Sequence, residues 1–158
     1  MTMIDAIRAA LAAICQEFND TRLHLCQVTV EPAGEGGFVL SGALLDAATA
    51  ASLYTALAAH FPGVLFETAG VRILRARQAP RMAVAANLTS LHAAPSFLAE
   101  QLSQLLNGAL LEVLDQQDRW AFVRQEDGYL GWTYHPYLTA APVAPATHLV
   151  IEPVAPLH

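Results

Sequence analysis

Residues 109–134, "ALLEVLDQQDRWAFVRQEDGYLGWTY", leave this chain little freedom of fold. Three short apolar runs are separated by "QQDR" and by an Asp127-Gly128 step. Asp-Gly flanked by such runs signals a hairpin, because glycine accepts positive φ and aspartate bonds its own turn. The spacing predicts strands at "ALLEVLD", "WAFVRQ" and "YLGWTY". Upstream, "MAVAANL" reads as a further strand. "SFLAEQLSQLL" reads as a short helix capped by Ser96, and Asn107-Gly108 as another tight turn. Short strands joined this closely predict a small closed barrel.

The same stretch holds both tryptophans, Trp120 and Trp132. With a turn at Asp127-Gly128, one begins its strand and the other ends the next, so the spacing pairs the two indoles on one rim. Trp132 and Val123 are expected in the core. Trp120, Tyr129 and Tyr134 are expected at the surface.

Before residue 76 the pattern differs. Ile4, Ile7, Leu11, Ile14 and Phe18 recur at the spacing of a core-facing helical stripe. Cys26, Val28 and Val30 alternate as in a strand, and "EPAGEGG" is a turn by composition. "FVLSGAL" is a second strand. Asp46 caps a second helix presenting Ala50, Leu53, Leu57 and Phe61, and Pro62-Gly63 ends it. "VLFETAGVRIL" reads as a hairpin. The expected order is α-β-β-α-β-β, with the helices on one face of a small sheet. "ARQAPR", residues 76–81, reads as a linker. The fold class is therefore α+β in two domains, 1–76 and 80–139. The tail, 140–158, holds an Ala/Pro-rich linker and "HLVIEPVAPLH", which partly repeats "MAVAANLTSLH" and reads as the first strand of a truncated second module.

Charge narrows the partners. All eight basic residues are arginine and the net charge is −6, which argues against nucleic acid. Arg72, Arg75, Arg77 and Arg81 cluster, either as the solvated face of a strand running into a linker or as an anion or lipid-headgroup patch. No apolar run approaches the roughly 18 residues of a membrane span, so a membrane partner is not expected. The N-terminus reads as an amphipathic helix rather than a signal peptide, and the expected location is cytoplasmic, with the cell envelope as the alternative. Cys15 and Cys26 are expected as buried thiols. No phosphate loop, nucleophile–base pair or metal spacing is found, so no catalytic residue, metal ligand or cofactor is assigned. His135, between Tyr134 and Tyr137, is the histidine of most interest.

Two resemblances add to this reading. The α-β-β-α order with "GFVLSGAL" before a capped helix resembles the BON domain, a small module of bacterial envelope proteins, over about residues 3–75. Trp120, Val123, Gly131 and Trp132, preceded by Gly108, Leu111 and Val113, resemble a bacterial SH3 domain over about residues 80–138. The pattern is similar to the SH3 modules that precede the catalytic domain in NlpC-type cell-wall cysteine peptidases. Thr133 stands where such domains often carry valine. The resemblance implies an SH3-like barrel serving as a non-catalytic, substrate-recognising portion of a muropeptide hydrolase. The implied partners are peptidoglycan stem peptides or a downstream catalytic domain. The rim residues Trp120, Asp127, Tyr129 and Tyr134 are the ligand-binding candidates. The alternatives are a stand-alone protein-interaction scaffold, or a BON-type envelope protein whose arginines meet lipid.

Overall fold

The structure is a computed structural model that describes residues 2–75 and 79–141. It is a mixed α+β chain with two helices and more strand than helix among the described residues. Helix α1, Met3–Gln16, opens with a capping box in which Thr2 and Asp5 satisfy each other's end of the first turn. Its stripe buries Ile7, Leu11 and Ile14 as the periodicity requires. Strand β1, Cys26–Pro32, runs antiparallel to β2, Phe38–Leu44. Helix α2, Ala47–His60, is capped by the Asp46 carboxylate, which accepts from the Thr49 N–H at 2.9 Å. Both helices bury Leu53, Leu57, Leu11 and their neighbours on one core with Val30, Phe38, Leu40 and Leu44 of the sheet.

The expected hairpin at "VLFETAGVRIL" is instead one strand, β3, Phe66–Ile73, parallel to β2. The glycine that suggested a turn does another job. A Cβ at Gly70 would lie 2.6 Å from Ser41 Oγ and 2.8 Å from the Leu40 oxygen, where the β2–β3 register shifts. Gly70 permits a close approach at a bulge rather than a reversal. This part is thus α-β-β-α-β, with strand order β1-β2-β3.

The second part contains β4 (Arg81–Val84), β5 (Leu88–His92), β6 (Gln101–Leu106), β7 (Leu110–Gln117), β8 (Trp120–Arg124), β9 (Leu130–Tyr134) and β10 (Leu138–Ala140). A single 3-10 turn, His135–Tyr137, precedes β10. The strands form one sheet in the order β10-β4-β7-β8-β9-β5-β6. The sheet is not closed: β10 and β6 are its edges, where the strand spacing had suggested a closed barrel. "MAVAANL" divides between β4 and the start of β5. The expected helix "SFLAEQLSQLL" is absent. Ser96 Oγ accepts from the Leu98 N–H at 3.1 Å in a local turn, and the chain then extends as β6 to pair with β5. Tertiary pairing outweighs helix propensity there.

One face of this sheet buries Val84, Leu91, Leu105, Leu111, Ala121 and Val123. Gly131 lets β5 approach β9, since a Cβ there would meet Leu91 Cγ at 2.6 Å. The other face carries Phe122, Leu130 and Trp132, and it meets the first part through Leu45, Leu25 and Leu74. A bulge directs this contact. Val113 pairs with Val123 but Asp115 pairs with Phe122, leaving Leu114 unpaired between them. Leu114 joins the shared apolar cluster, and Asp115 lies 2.8 Å from Arg72.

The described arginines of the cluster pair with carboxylates of β7. Arg75 Nε donates to Glu112 at 2.8 Å, and Arg81 and Arg124 approach the same carboxylate at 3.8 and 3.6 Å. The Arg75 hydrogen bond holds the Glu112 carboxyl below its usual range. Arg72 and Arg81 keep 64% and 62% of their side chains exposed, as on a solvated face, while their charges are paired within the chain. Arg77 lies outside the described residues, as do the first half of the expected linker and the expected strand in 148–158, while Arg81 of that linker already begins β4. Cys15 and Cys26 are also not free thiols: they form a disulfide joining α1 to β1. Their separation of 11 residues spans a helix end and a strand start, and no local pattern announced that these two meet.

Candidate functional site

The hairpin β8–β9 sets the site. Its connection is longer than a two-residue turn. Gln125 N donates to Tyr129 O at 2.9 Å, Gly128 N donates to Gln125 O at 3.0 Å, and Arg124 faces Leu130. The Asp127 carboxylate accepts from the Tyr129 N–H at 3.0 Å, closing an Asx turn. This register pairs Trp120 with Tyr134 and Phe122 with Trp132. The two indoles share a face but do not face each other, because the hairpin centre falls on Asp127.

Trp120 lies in a chain of rings. Its indole is 4.7 Å from Phe97, 5.6 Å from His92 and 5.7 Å from Tyr134, centre to centre. Tyr134 is 5.2 Å from Phe97 and 5.1 Å from Tyr137. The Arg119 guanidinium stands 5.1 Å above the Tyr134 ring, a favourable cation–π geometry. His92 is buried, with Nδ1 3.1 Å from the Ala99 oxygen, and so anchors the cluster to the β5–β6 connection. That connection presents Phe97 and Leu98, 60% and 97% exposed, and Tyr137 is 42% exposed. The result is an apolar, ring-lined surface with one cation at its edge. It can stack on flat or apolar groups and donate from Arg119.

Of the four candidates read from the sequence, Trp120 and Tyr134 meet here. Asp127 and Tyr129 sit at the opposite end of the hairpin. Tyr129 is half-buried against the core face, with Arg22 over its ring at 5.6 Å. Val123 is in the core, but Trp132 is not: it lies half-buried on the opposite face, against Phe122 at 5.1 Å. His92 and Phe97 were missed. Phe97 was assigned to a helix, and nothing in the sequence sets His92 apart from the other histidines. His135 is half-buried, and its N–H donates to the Arg119 oxygen at 2.9 Å. Among the described residues no three His, Cys, Asp or Glu side chains gather as a metal site.

A second concavity lies between the two parts of the chain. It has a volume of about 930 Å³ and is lined by the loop 16–27 on one side and by Phe122, Leu130 and Trp132 on the other.

Compared with known proteins, the chain has no significant match among curated sequences. Residues 91–133 match the family described as the bacterial dipeptidyl-peptidase Sh3 domain. The matched segment takes in His92, Phe97 and Trp120 and ends one residue before Tyr134. By this match, the strands that build the ring cluster are similar to an SH3 domain of the bacterial peptidase type, a non-catalytic binding module.

Proposed function

We propose that this chain is the non-catalytic recognition portion of a cell-wall peptide hydrolase, and that the ring cluster around Trp120 and Tyr134 receives a peptidoglycan stem peptide. One observation carries the reading: the exposed rings of Phe97 and Tyr137 and the half-buried rings of Trp120 and Tyr134 converge on a segment similar to a peptidase SH3 module. In this reading residues 80–139 are an SH3-like module, and 1–76 is a small α+β domain that supports it. The Cys15–Cys26 disulfide favours an oxidising compartment, so the reading places the chain at the cell envelope rather than in the cytoplasm.

Each stacked ring contributes about 1 kcal/mol, or about fivefold in affinity. Binding by two or three rings is therefore weak, in keeping with a site that a catalytic domain completes. The test is titration of the chain with L-Ala-γ-D-Glu-diaminopimelate, followed by the two indole N–H resonances. Trp120 should respond, and the folded Trp120→Ala and Tyr134→Ala variants should each lose affinity. A folded double variant that binds the tripeptide as well as the parent chain refutes the assignment.

A further inference from the structure

We propose that the cleft between the two parts of the chain binds a neutral saccharide, stacked on Trp132 and hydrogen-bonded by the opposite wall. The cleft, about 930 Å³, has the volume of a small-molecule site and the usual place for one, at a junction between two packed parts. One wall is aromatic. Trp132 is half-buried, backed by Phe122 at 5.1 Å, and lines the cleft. The C–H face of a pyranose ring carries partial positive charge and stacks on the electron-rich face of an indole.

The opposite wall supplies the other half of sugar recognition. Gln16, Asn19, Asp20 and Gln27 line it, and Arg72 and Asp115 also line the cleft. Amides, carboxylates and guanidinia present adjacent polar atoms in a plane, and neighbouring sugar hydroxyls each donate and accept. Charge selects among polar ligands. Arg22 is held by both oxygens of Asp20, at 2.9 and 3.1 Å, and Arg72 by Asp115 at 2.8 Å. Both cations are thus neutralised within the wall, and Glu100 adds a negative charge. An anionic ligand gains nothing here, whereas the carboxylates keep lone pairs for hydroxyl donors.

The wall is also held in place. The Cys15–Cys26 disulfide ties the ends of the loop that carries Asn19, Asp20 and Arg22. The Asp20 carbonyl accepts from Leu23 and His24, each at 2.9 Å, and the Arg22 carbonyl accepts from the Leu130 N–H at 2.6 Å. A wall ordered before binding loses less entropy when it binds. The site does not depend on the stem-peptide reading, since it uses Trp132 rather than Trp120.

The experiment uses the whole chain, 15N-labelled, with the β-1,4-linked tetramer of N-acetylglucosamine as probe and a sulfated tetrasaccharide as the charged comparison. The indole N–H of Trp132 should move on titration and that of Trp120 should stay, whether or not the chain binds a wall peptide. Trp132→Ala should weaken binding at least tenfold. Trp132→Phe keeps a ring against Phe122 and should weaken it severalfold with the fold intact. Asp20→Asn should lower affinity for the neutral tetramer and raise it for the sulfated one, because Arg22 loses its counter-ion. An unmoved Trp132 resonance at millimolar tetramer overturns the inference. So does a response confined to Trp120, or tighter binding of the sulfated sugar by the parent chain.

Discussion

Replacing Thr133 by valine should stabilise the protein. Thr133 pairs with Ala121 across β8–β9 and is 0% exposed. Its side chain shares the face of Ala121, Val123 and Gly131, where the surrounding core is aliphatic. Its hydroxyl oxygen is buried and has no hydrogen-bond partner. An unsatisfied buried polar group costs about 1–3 kcal/mol, and valine keeps the branched shape while adding one buried methyl, worth about 0.8 kcal/mol. Strain from the slightly larger group offsets part of this, so the net gain should be about 1–2 kcal/mol. For a chain of this size each kcal/mol moves the melting temperature by about 2–4 °C, giving a rise of about 2–8 °C. Thermal unfolding followed by circular dichroism, with urea unfolding as a check, reads both quantities. The urea slope should be unchanged, since the exposed area on unfolding is the same. A melting temperature that stays or falls refutes the argument and means that the hydroxyl is satisfied by a buried water.

Glu112→Gln should destabilise by about 1.5–3 kcal/mol, because it removes the charge-assisted hydrogen bonds from Arg75 and leaves three arginines facing a neutral group; urea midpoints measure this. The folded Glu112 and Asp115 carboxyls titrate below their usual values, through the bonds from Arg75 and Arg72. Their stabilisation is therefore present above the unfolded carboxylate range and lost as pH falls through the lower, folded values. Melting temperature should decline on acidification below about pH 4.5, and the decline should be shallower in Glu112→Gln. Reduction of the Cys15–Cys26 bond, which closes a loop of 11 residues, should cost about 3 kcal/mol on the chain-entropy account; unfolding midpoints with and without dithiothreitol, and thiol alkylation read by mass, check it.

Helices α1 and α2 and strands β1, β2, β7, β8 and β9 were legible because each is governed by a local rule. The stripe of Ile7, Leu11 and Ile14, the cap at Asp46 and the apolar runs about Asp127-Gly128 all act within a few residues. What sequence reasoning missed depended on distant partners. Gly70 reads as a turn residue until Ser41 is known to lie beside it. The run after Ser96 has helical composition, yet β5 offers it a ladder of hydrogen bonds. The pairing of Trp120 with Tyr134 followed from the length of the hairpin connection, and moving its centre by one residue moves every partner by two. Trp120 and Tyr134 were expected at the surface and are half-buried among other rings. His92 and Phe97 reach them only because the β5–β6 connection folds back over the hairpin. The disulfide and the arginine–carboxylate pairs join residues far apart in the chain, so composition suggested neither.

The unpaired Leu114 has a wider meaning. Strand side chains obey a parity rule, with odd and even positions pointing to opposite faces. One supernumerary residue in β7 resets that parity midway, so a single strand serves two interiors in succession. Upstream of the reset, Leu111 and Val113 belong to the sheet's own core; at and beyond it, Leu114 and Asp115 belong to the junction with the helical part. The four letters "EVLD" therefore act as a joint as well as a strand. They set how the ring-bearing hairpin is aimed at its neighbour.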